Sequence, residues 1–449
     1  MGLLVYSIYD QIVDFIDDFL RQLKFTKLSY SSAFNSDVSP SISTKNHRSE
    51  LTKAFIIESS LAKRAGYVDS WTKAPSAPLR PLRVMVLGLR GFPNVQGGIE
   101  THVEHLAPLL VNQGCQLEVV VRSHCQKKET GKTWRGVKFT PIWAPKSKGL
   151  EALVHTFLGV MYAGVKRPDV LHIHAIGPAL LTPLARLLGL NVVVTHHGPD
   201  YDRQKWGMFA KTVLMLGEWA GMRFSNGRIV ISNVIRDLVE HKHHVQSEII
   251  YNGVKMPDLD ASELLIEQFG LKKNRYIILV SRLVPEKRHL DLINAFNQAK
   301  IEGYKLALVG SSDHPDEYVT AVMKAASENP NIVLTGFQKG EVLQSLYTHA
   351  ALFVLPSSHE GLSISLLEAL SYGLPVLASD IPANLELDLN PTSYFKMGDV
   401  DELIRRLKLK LANPMSHEAK IDIRLWVNSH YDWRKIAEKT YATYRKAFQ

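Results

Sequence analysis

Hydrophobic spacing divides this chain into two unlike parts, with the change near Leu82. Before it, Leu4, Ile8, Ile12, Ile16, Leu20 and Leu23 recur at helical intervals, with Asp10, Asp14 and Asp17 between them. That pattern predicts one amphipathic helix over residues 3–25. Ser31 to Glu50, rich in Ser and Asn, reads as a linker, and a short helix is expected within 51–80 before the proline-bearing APSAPLRP. From Leu82 onward, short apolar runs alternate with helical segments. Val84–Leu89, Leu117–Val121, Val170–Ile173, Val192–Thr195, Arg228–Ile231 and Ile249–Tyr251 are the expected strands of a first block. The turn-rich NGVKMPDLD reads as a hinge, after which Tyr276–Val280, Lys305–Val309, Ile332–Leu334, Leu352–Leu355 and Pro375–Ala378 repeat the rhythm. Strands alternating with helices predict parallel, doubly wound α/β sheets. The expected organisation is an extension over 1–80, Rossmann-like domains over 81–255 and 256–425 facing across a cleft, and a terminal helix over 426–449.

Composition narrows the partners. With 45% hydrophobic and 22% charged residues the chain is an ordinary globular one. Its net charge of +9 suits anionic ligands or an anionic membrane surface. The basic residues are dispersed and no nucleic-acid motif accompanies them, so nucleic acid is not an expected partner. Two cysteines, Cys115 and Cys125, make neither a disulfide framework nor a metal cluster, which predicts a reducing compartment. The N-terminus lacks a basic leader and turns acidic within ten residues, unlike a secretory signal. No uncharged apolar run reaches the roughly 20 residues of a membrane helix. A cytoplasmic location follows as the expectation.

The most informative stretch is EGLSISLLEALSYGLPVLASD, Glu360 to Asp380. Apolar runs lead in and out of it, giving strand, loop, helix and strand, with Gly373 placed to end the helix. Such a unit offers loop amides and a helix N-terminus to an anion at the C-terminal edge of a parallel sheet. Glu360 and Glu368 add two carboxylates beside it, which suits a ligand with both phosphates and hydroxyls, such as a nucleotide sugar. The plainer alternative is that Ser365 and Glu368, at capping-box spacing, serve only their own helix, with Glu360 a solvated loop charge.

Three further motifs stand at expected strand ends. LGLRGFPNVQGGIETHVEHL, residues 87–106, runs a strand into a glycine-bearing loop and then a helix. Gly97 and Gly98 let the backbone approach a phosphate there, or simply make a turn. The spacing is not GxGxxG and no ribose-binding acid follows, which argues against a nicotinamide cofactor. DVLHIHAIGPALL and VVVTHHGPDYDRQKW would gather His172, His174, His196 and His197 near one cleft, with Asp200, Arg203 and Lys205. They lack the companion ligands of a structural zinc site, and each histidine alone is as compatible with a packed structural role. In LVSRLVPEKRHLDLINAF, Arg282 and Lys287 combine a planar fork with a point charge, suited to a diphosphate or, more plainly, to a surface basic patch.

Together these segments resemble the family 4 glycosyltransferases of GT-B fold over residues 83–449. The resemblance rests on GGIE at 97–100, SRLVPEKR, YNGV at 251–254, LTGF at 334–337, and the two-glutamate block. GGIETHVEHL, HIHAIGPA and HHGPDYDRQKW are similar to a subgroup of bacterial cell-surface polysaccharide and rhamnosyltransferase-like enzymes. The resemblance implies that Arg282 and Lys287 hold the donor diphosphate, Glu360 the sugar hydroxyls and Glu368 the ribose. It implies that backbone at Gly361, Leu362 and Ser363 contacts sugar or phosphate, with Gly97 and Gly98 approaching from the first domain. Glu100 and His174 join the substrate contacts through their motifs, and His197 lies near the transferred sugar, with His196 as the adjacent alternative. The implied reaction is retaining hexosyl transfer from a nucleoside-diphosphate sugar to a glycan or lipid-linked acceptor. A divalent metal would be redundant beside these basic groups and no DxD pair is suited to holding one, so no metal cofactor is expected. A GT-B nucleotide-sugar epimerase and a non-catalytic nucleotide-binding scaffold are the alternatives. The helix from Tyr431 to Phe448 resembles one that crosses back to the first domain. The basic helix around Glu402–Leu411, with Arg405, Arg406, Lys408 and Lys410, either contacts the anionic inner leaflet peripherally or is a solvated face.

Overall fold

The computed structural model describes residues 80–126, 131–146, 150–203, 207–312 and 316–449. The expected helix at 3–25, the linker and the short helix before APSAPLRP lie outside the described residues.

The first sheet contains Leu82–Leu87 (β1), Cys115–Arg122 (β2), Thr133–Trp134 (β3), Val137–Ile142 (β4), Val170–His174 (β5), Val192–His196 (β6), Gly227–Val230 (β7) and Glu248–Ile249 (β8). The second contains Tyr276–Val280 (β9), Lys305–Val309 (β10), Ile332–Gly336 (β11), Leu352–Leu355 (β12), Val376–Ser379 (β13) and Tyr394–Phe395 (β14). Their orders are β3-β4-β2-β1-β5-β6-β7-β8 and β11-β10-β9-β12-β13-β14. Every pairing is parallel except β3 with β4. Both sheets therefore grow outward from a first strand and reverse once, between β1 and β5 and between β9 and β12. Ligands of open α/β sheets sit at these reversals, outside the carboxyl ends of the strands. Strands covered by helices on both faces must be apolar throughout, and β9 and β12 are buried along almost their whole length.

Each expected strand is present, shifted by a residue or two at the ends. Three were not anticipated. β4, VKFTPI, alternates buried and exposed positions and carries Pro141, so it lacks the continuous apolar run of the central strands. β3 and β14 are two residues each.

The chain leaves the first sheet after β8 and recrosses beside its own exit. Val254 pairs with Asp432, and the Val254 amide donates to the Tyr431 carbonyl at 2.9 Å. The helix His417–His430 stays with the second domain, where Arg424 donates to the Ser371 and Pro257 carbonyls at 2.9 and 3.2 Å. The return helix accordingly begins at Trp433, later than the boundary expected at 426. It buries Trp433, Ile436, Ala437, Tyr444 and Ala447 in the core that also holds Val84, Leu106 and Ile229. Gly253 makes room for it, since a Cβ there would lie 2.5 Å from the Trp433 ring.

The basic helix Val400–Ala412 is partly committed inward. Arg406 pairs with Glu402 at 3.2 Å and Lys410 donates to Ser393 at 3.3 Å, leaving Arg405 and Lys408 exposed. Among the described residues no helix is long and apolar enough to cross a membrane.

Replacing Trp433 by Ala should lower stability by about 3–5 kcal/mol, the range for emptying a buried aromatic site. Tyr444→Phe should cost about 1–3 kcal/mol, because its hydroxyl is 2.7 Å from buried His172 Nδ1. Urea titration reads both. An unchanged midpoint for Trp433→Ala would show that the first domain closes its core without this helix.

Candidate functional site

The two reversal points face one another. Ser311, after β10, donates to Gln96 Oε1 at 2.8 Å across the cleft. Glu386 accepts from the Asn233 and Val234 amides at 2.6 and 3.1 Å, at the N-terminus of the helix Asn233–His243. Arg203 Nη1 lies 3.5 Å from Glu286 Oε1. At the centre, a Cβ on Gly361 would fall 2.1 Å from the His197 carbonyl oxygen, so only glycine permits this approach.

On the second domain's side, the loop after β9 carries Arg282 and Lys287 and the loop after β12 carries Glu360. Lys287 Nζ and Glu360 Oε1 form a part-buried ion pair at 2.5 Å. The Arg282 guanidinium has no hydrogen bond or ion pair among the described residues. Burial, then the nearby Arg203 and Arg90 guanidinium groups, hold its pKa below the ordinary value. A guanidinium in that environment is relieved by an anion. Beside it, Gly361, Leu362 and Ser363 lead into the helix Ile364–Ser371, whose N-cap is Ser363, accepting from the Leu366 amide at 3.4 Å. That position removes the capping-box alternative: Ser365 is already inside the helix. Glu368 instead receives a hydrogen bond from the Tyr347 hydroxyl at 3.0 Å, and Tyr347 stacks on Tyr372. Burial pushes the Glu368 carboxyl up to about 7, with the Tyr347 hydrogen bond opposing.

On the first domain's side, Gly97 and Gly98 stand where the helix Gly98–Asn112 begins. A Cβ on Gly97 would lie 2.0 Å from Glu100 Oε2, whereas that of Gly98 would meet open space. Glu100 does not project from this loop as expected of a substrate contact. Its carboxylate turns back to the Arg90 amide at 3.2 Å and guanidinium at 3.1 Å, and is buried there. Burial opposes its ionisation, but Arg90 outweighs it and holds the pKa below the usual carboxylate range. Glu100 thus shapes the loop.

The histidines divide differently from the expectation. His174 Nδ1 and His197 Nε2 are 2.9 Å apart, and the rings of His172 and His174 lie 4.0 Å apart. His196 is not part of this group. Its Nδ1 accepts from the Gly198 amide at 3.0 Å, so Nε2 carries the proton and donates to buried Glu218 at 2.8 Å. Glu218 also meets Tyr201 at 3.0 Å, His243 at 3.1 Å and Lys242. The missing member is His102, on the buried face of the helix with Val103 and Leu106, 5.2 Å from the His197 ring. Its helical phase with those residues marked it as inward-facing, but no strand-end rule pointed to it. Burial holds His102 at about 4 and His172 at about 3, and His174 and His197 well below the ordinary value. The cluster is neutral near pH 7.

A separate group brings ligand atoms of His124, Cys125 and Glu151 within 4.8 Å of one another. There Glu151 is already held by Arg122 Nη1 at 3.0 Å and His124 Nε2 at 2.7 Å.

Comparison with known proteins gives a consistent picture. Residues 96–256 match the model for Glycosyltransferase Family 4, and residues 262–423 that for Glycosyl transferases group 1. An uncharacterized glycosyltransferase of Methanocaldococcus jannaschii is 23% identical over 80% of this chain and 96% of its own length. A GDP-mannose-dependent alpha-(1-6)-phosphatidylinositol monomannoside mannosyltransferase of Mycolicibacterium smegmatis is 26% identical over 78% and 95%. The Escherichia coli UDP-Gal:alpha-D-GlcNAc-diphosphoundecaprenol alpha-1,3-galactosyltransferase is 26% identical over 53% and 65%. In fold, the chain matches sucrose-phosphate synthase of Thermosynechococcus elongatus, with a TM-score of 0.70, 20% identity and coverage of 82% and 99%. It also matches Anabaena HepE in complex with UDP and glucose, with a TM-score of 0.67, 17% identity and coverage of 81% and 99%.

The raised Glu368 carboxyl makes stability depend on pH. Its value is near 4.5 when unperturbed and about 7 in the fold, so the folded state binds the extra proton between them. The favourable contribution is complete below the unperturbed value and is lost as pH rises through about 7. Glu368→Gln should therefore melt above the wild type at pH 8, with the gap closing toward pH 4. A pH-independent gap would assign Glu368 an unperturbed carboxylate.

Proposed function

Because this chain belongs to the family 4 glycosyltransferases of GT-B fold and takes its sugar from a nucleotide donor, we propose that it moves a hexosyl unit, with retention at the anomeric carbon, onto a hydroxyl of a glycan or lipid-linked acceptor in cell-surface polysaccharide biosynthesis. The observation that carries this reading is the guanidinium of Arg282, without a partner among the described residues, beside the Lys287–Glu360 pair at one sheet reversal.

In this reading Arg282 and Lys287 bind the diphosphate and stabilise the charge that grows on it as the glycosidic bond breaks. These fixed cations fill the place a divalent metal would take. Lys287 and Glu360 neutralise each other at 2.5 Å. Donor binding would share each with a ligand group, the lysine with phosphate and the carboxylate with sugar hydroxyls. Glu368 accepts from the ribose hydroxyls, and backbone from Gly361 to Ser363 lies along the sugar and phosphate. Gly98, with open space at its Cα, gives the diphosphate its approach from the first domain. His197 is neutral, and its 2.9 Å contact with His174 fixes the imidazole, so it polarises a sugar hydroxyl without adding charge. Attack on the face the diphosphate leaves needs no enzyme nucleophile.

The lipid-linked acceptor draws support from relatives whose names specify a diphosphoundecaprenol and a phosphatidylinositol glycoside. A peripheral membrane contact by the helix Val400–Ala412 draws support from exposed Arg405 and Lys408 and from the net charge of +9.

A panel of nucleoside-diphosphate sugars, assayed with and without EDTA, tests the reading. Turnover should survive EDTA, and anomeric NMR of the product should show retention. Lys287→Ala and Glu360→Ala should each lower kcat/KM by about 10²–10³-fold, the loss typical of one electrostatic partner, with folding intact. Near-normal turnover in either variant would remove that residue from the donor site.

A further inference from the structure

The hinge contains one buried amide that none of these roles uses. Asn252 follows β8 and is 4% exposed. Its Oδ1 lies 2.9 Å from His102 Nδ1, and its Nδ2 donates to the Leu362 carbonyl at 2.8 Å. Three parts of the molecule meet there: the helix that follows GGIE, the hinge, and the loop between Gly361 and Ser363.

Chemistry fixes the direction of both bonds. A carbonyl only accepts, so Nδ2 faces Leu362. Oδ1 then faces His102, which must carry its proton on Nδ1. Aspartate has no donor for the carbonyl, serine is too short to span both partners, and glutamine is a methylene longer. His102 in turn packs against His197 at 5.2 Å, His174 at 5.7 Å and Trp433 at 5.4 Å. Leu362 adjoins Gly361, whose backbone abuts the His197 carbonyl. One side chain is therefore bonded at both ends of the contact that closes the cleft.

We propose that Asn252 is a positioning residue: it holds the loop Gly361–Ser363 in register with His197 and ties rotation at the hinge to assembly of the donor site. Its part in turnover rests on the nucleotide-sugar reading above; its hold on the loop does not.

Hydrogen exchange on the full chain, without any ligand, tests the hold directly. In Asn252→Asp and Asn252→Ala the amides of residues 357–366 should exchange about tenfold faster, as loss of one buried hydrogen bond implies. Exchange in β5 and β9 should not change. If Asn252→Ala does not fold, the near-isosteric Asn252→Asp decides alone. Loop exchange equal to wild type would overturn the proposal. The pH profile separates positioning from packing. In Asn252→Asp a carboxylate faces His102, whose other titratable neighbours are His105 on its own helix, His172 and His174 on β5, and His197 after β6. The acid limb of kcat/KM should move up by at least about one pH unit, and should not move up in Asn252→Ala, which only removes a bond that raises the His102 pKa. A loosened loop with an unmoved acid limb in Asn252→Asp would overturn the link to the histidines. Absence of turnover from the wild type with every nucleotide sugar would count against the proposed function, while the exchange result still decides the role of Asn252.

Discussion

A carbonyl oxygen of the first domain occupies the space where any residue but glycine would place a Cβ in the second. That approach, between His197 and Gly361, sets the width of the cleft at its centre. Everything around it follows from how close two sheet edges can come. The Ser311–Gln96 bond, the Arg203–Glu286 pair and the Glu386 cap on the helix Asn233–His243 all require that spacing. Each has only side-chain reach to work with, so a shift of an ångström or two would open them together.

The two sides of the cleft differ electrically. The second domain contributes charge, with part-buried Arg282, Lys287 and Glu360 on the loops after β9 and β12. The first domain contributes neutral, hydrogen-bonded imidazoles, uses Arg90 and Glu100 on each other, and sends Arg203 across to Glu286. Such a division separates the binding of a polyanion from the handling of a neutral sugar. Histidines that stayed protonated would compete for the same phosphates; burial prevents that here by keeping all four uncharged near neutral pH.

The fold was largely legible because buried parallel strands announce themselves as uninterrupted apolar runs. Edge strands such as β4 do not, since half of their residues face water. The placement of Arg282, Lys287 and Glu360 was legible for a related reason: they stand on short loops directly after strands, with Glu368 on the helix that follows, so sequence distance maps closely onto space. The first domain's site was less so. Which of His196 and His197 faces the cleft depends on Glu218, 22 residues away from His196 on another helix. His102 enters from a helix, and Glu100 is captured by an arginine ten residues before it. Side-chain partners chosen across the fold leave no local trace, and the glutamate of GGIE looks the same whether it faces a ligand or its own loop.

The helix from Trp433 to Phe448 follows the second domain in sequence and belongs in space to the first. As the chain leaves the ribosome, the first sheet can pair its strands while a groove beside Val84, Leu106 and Ile229 stays open. That groove cannot be filled until the second domain has been synthesised and Trp433–Phe448 has cleared the exit tunnel. Completion of the first domain's core is thereby deferred until the second domain has been made, and a ribosome that stalls before Trp433 would release a chain in which it is still unfinished.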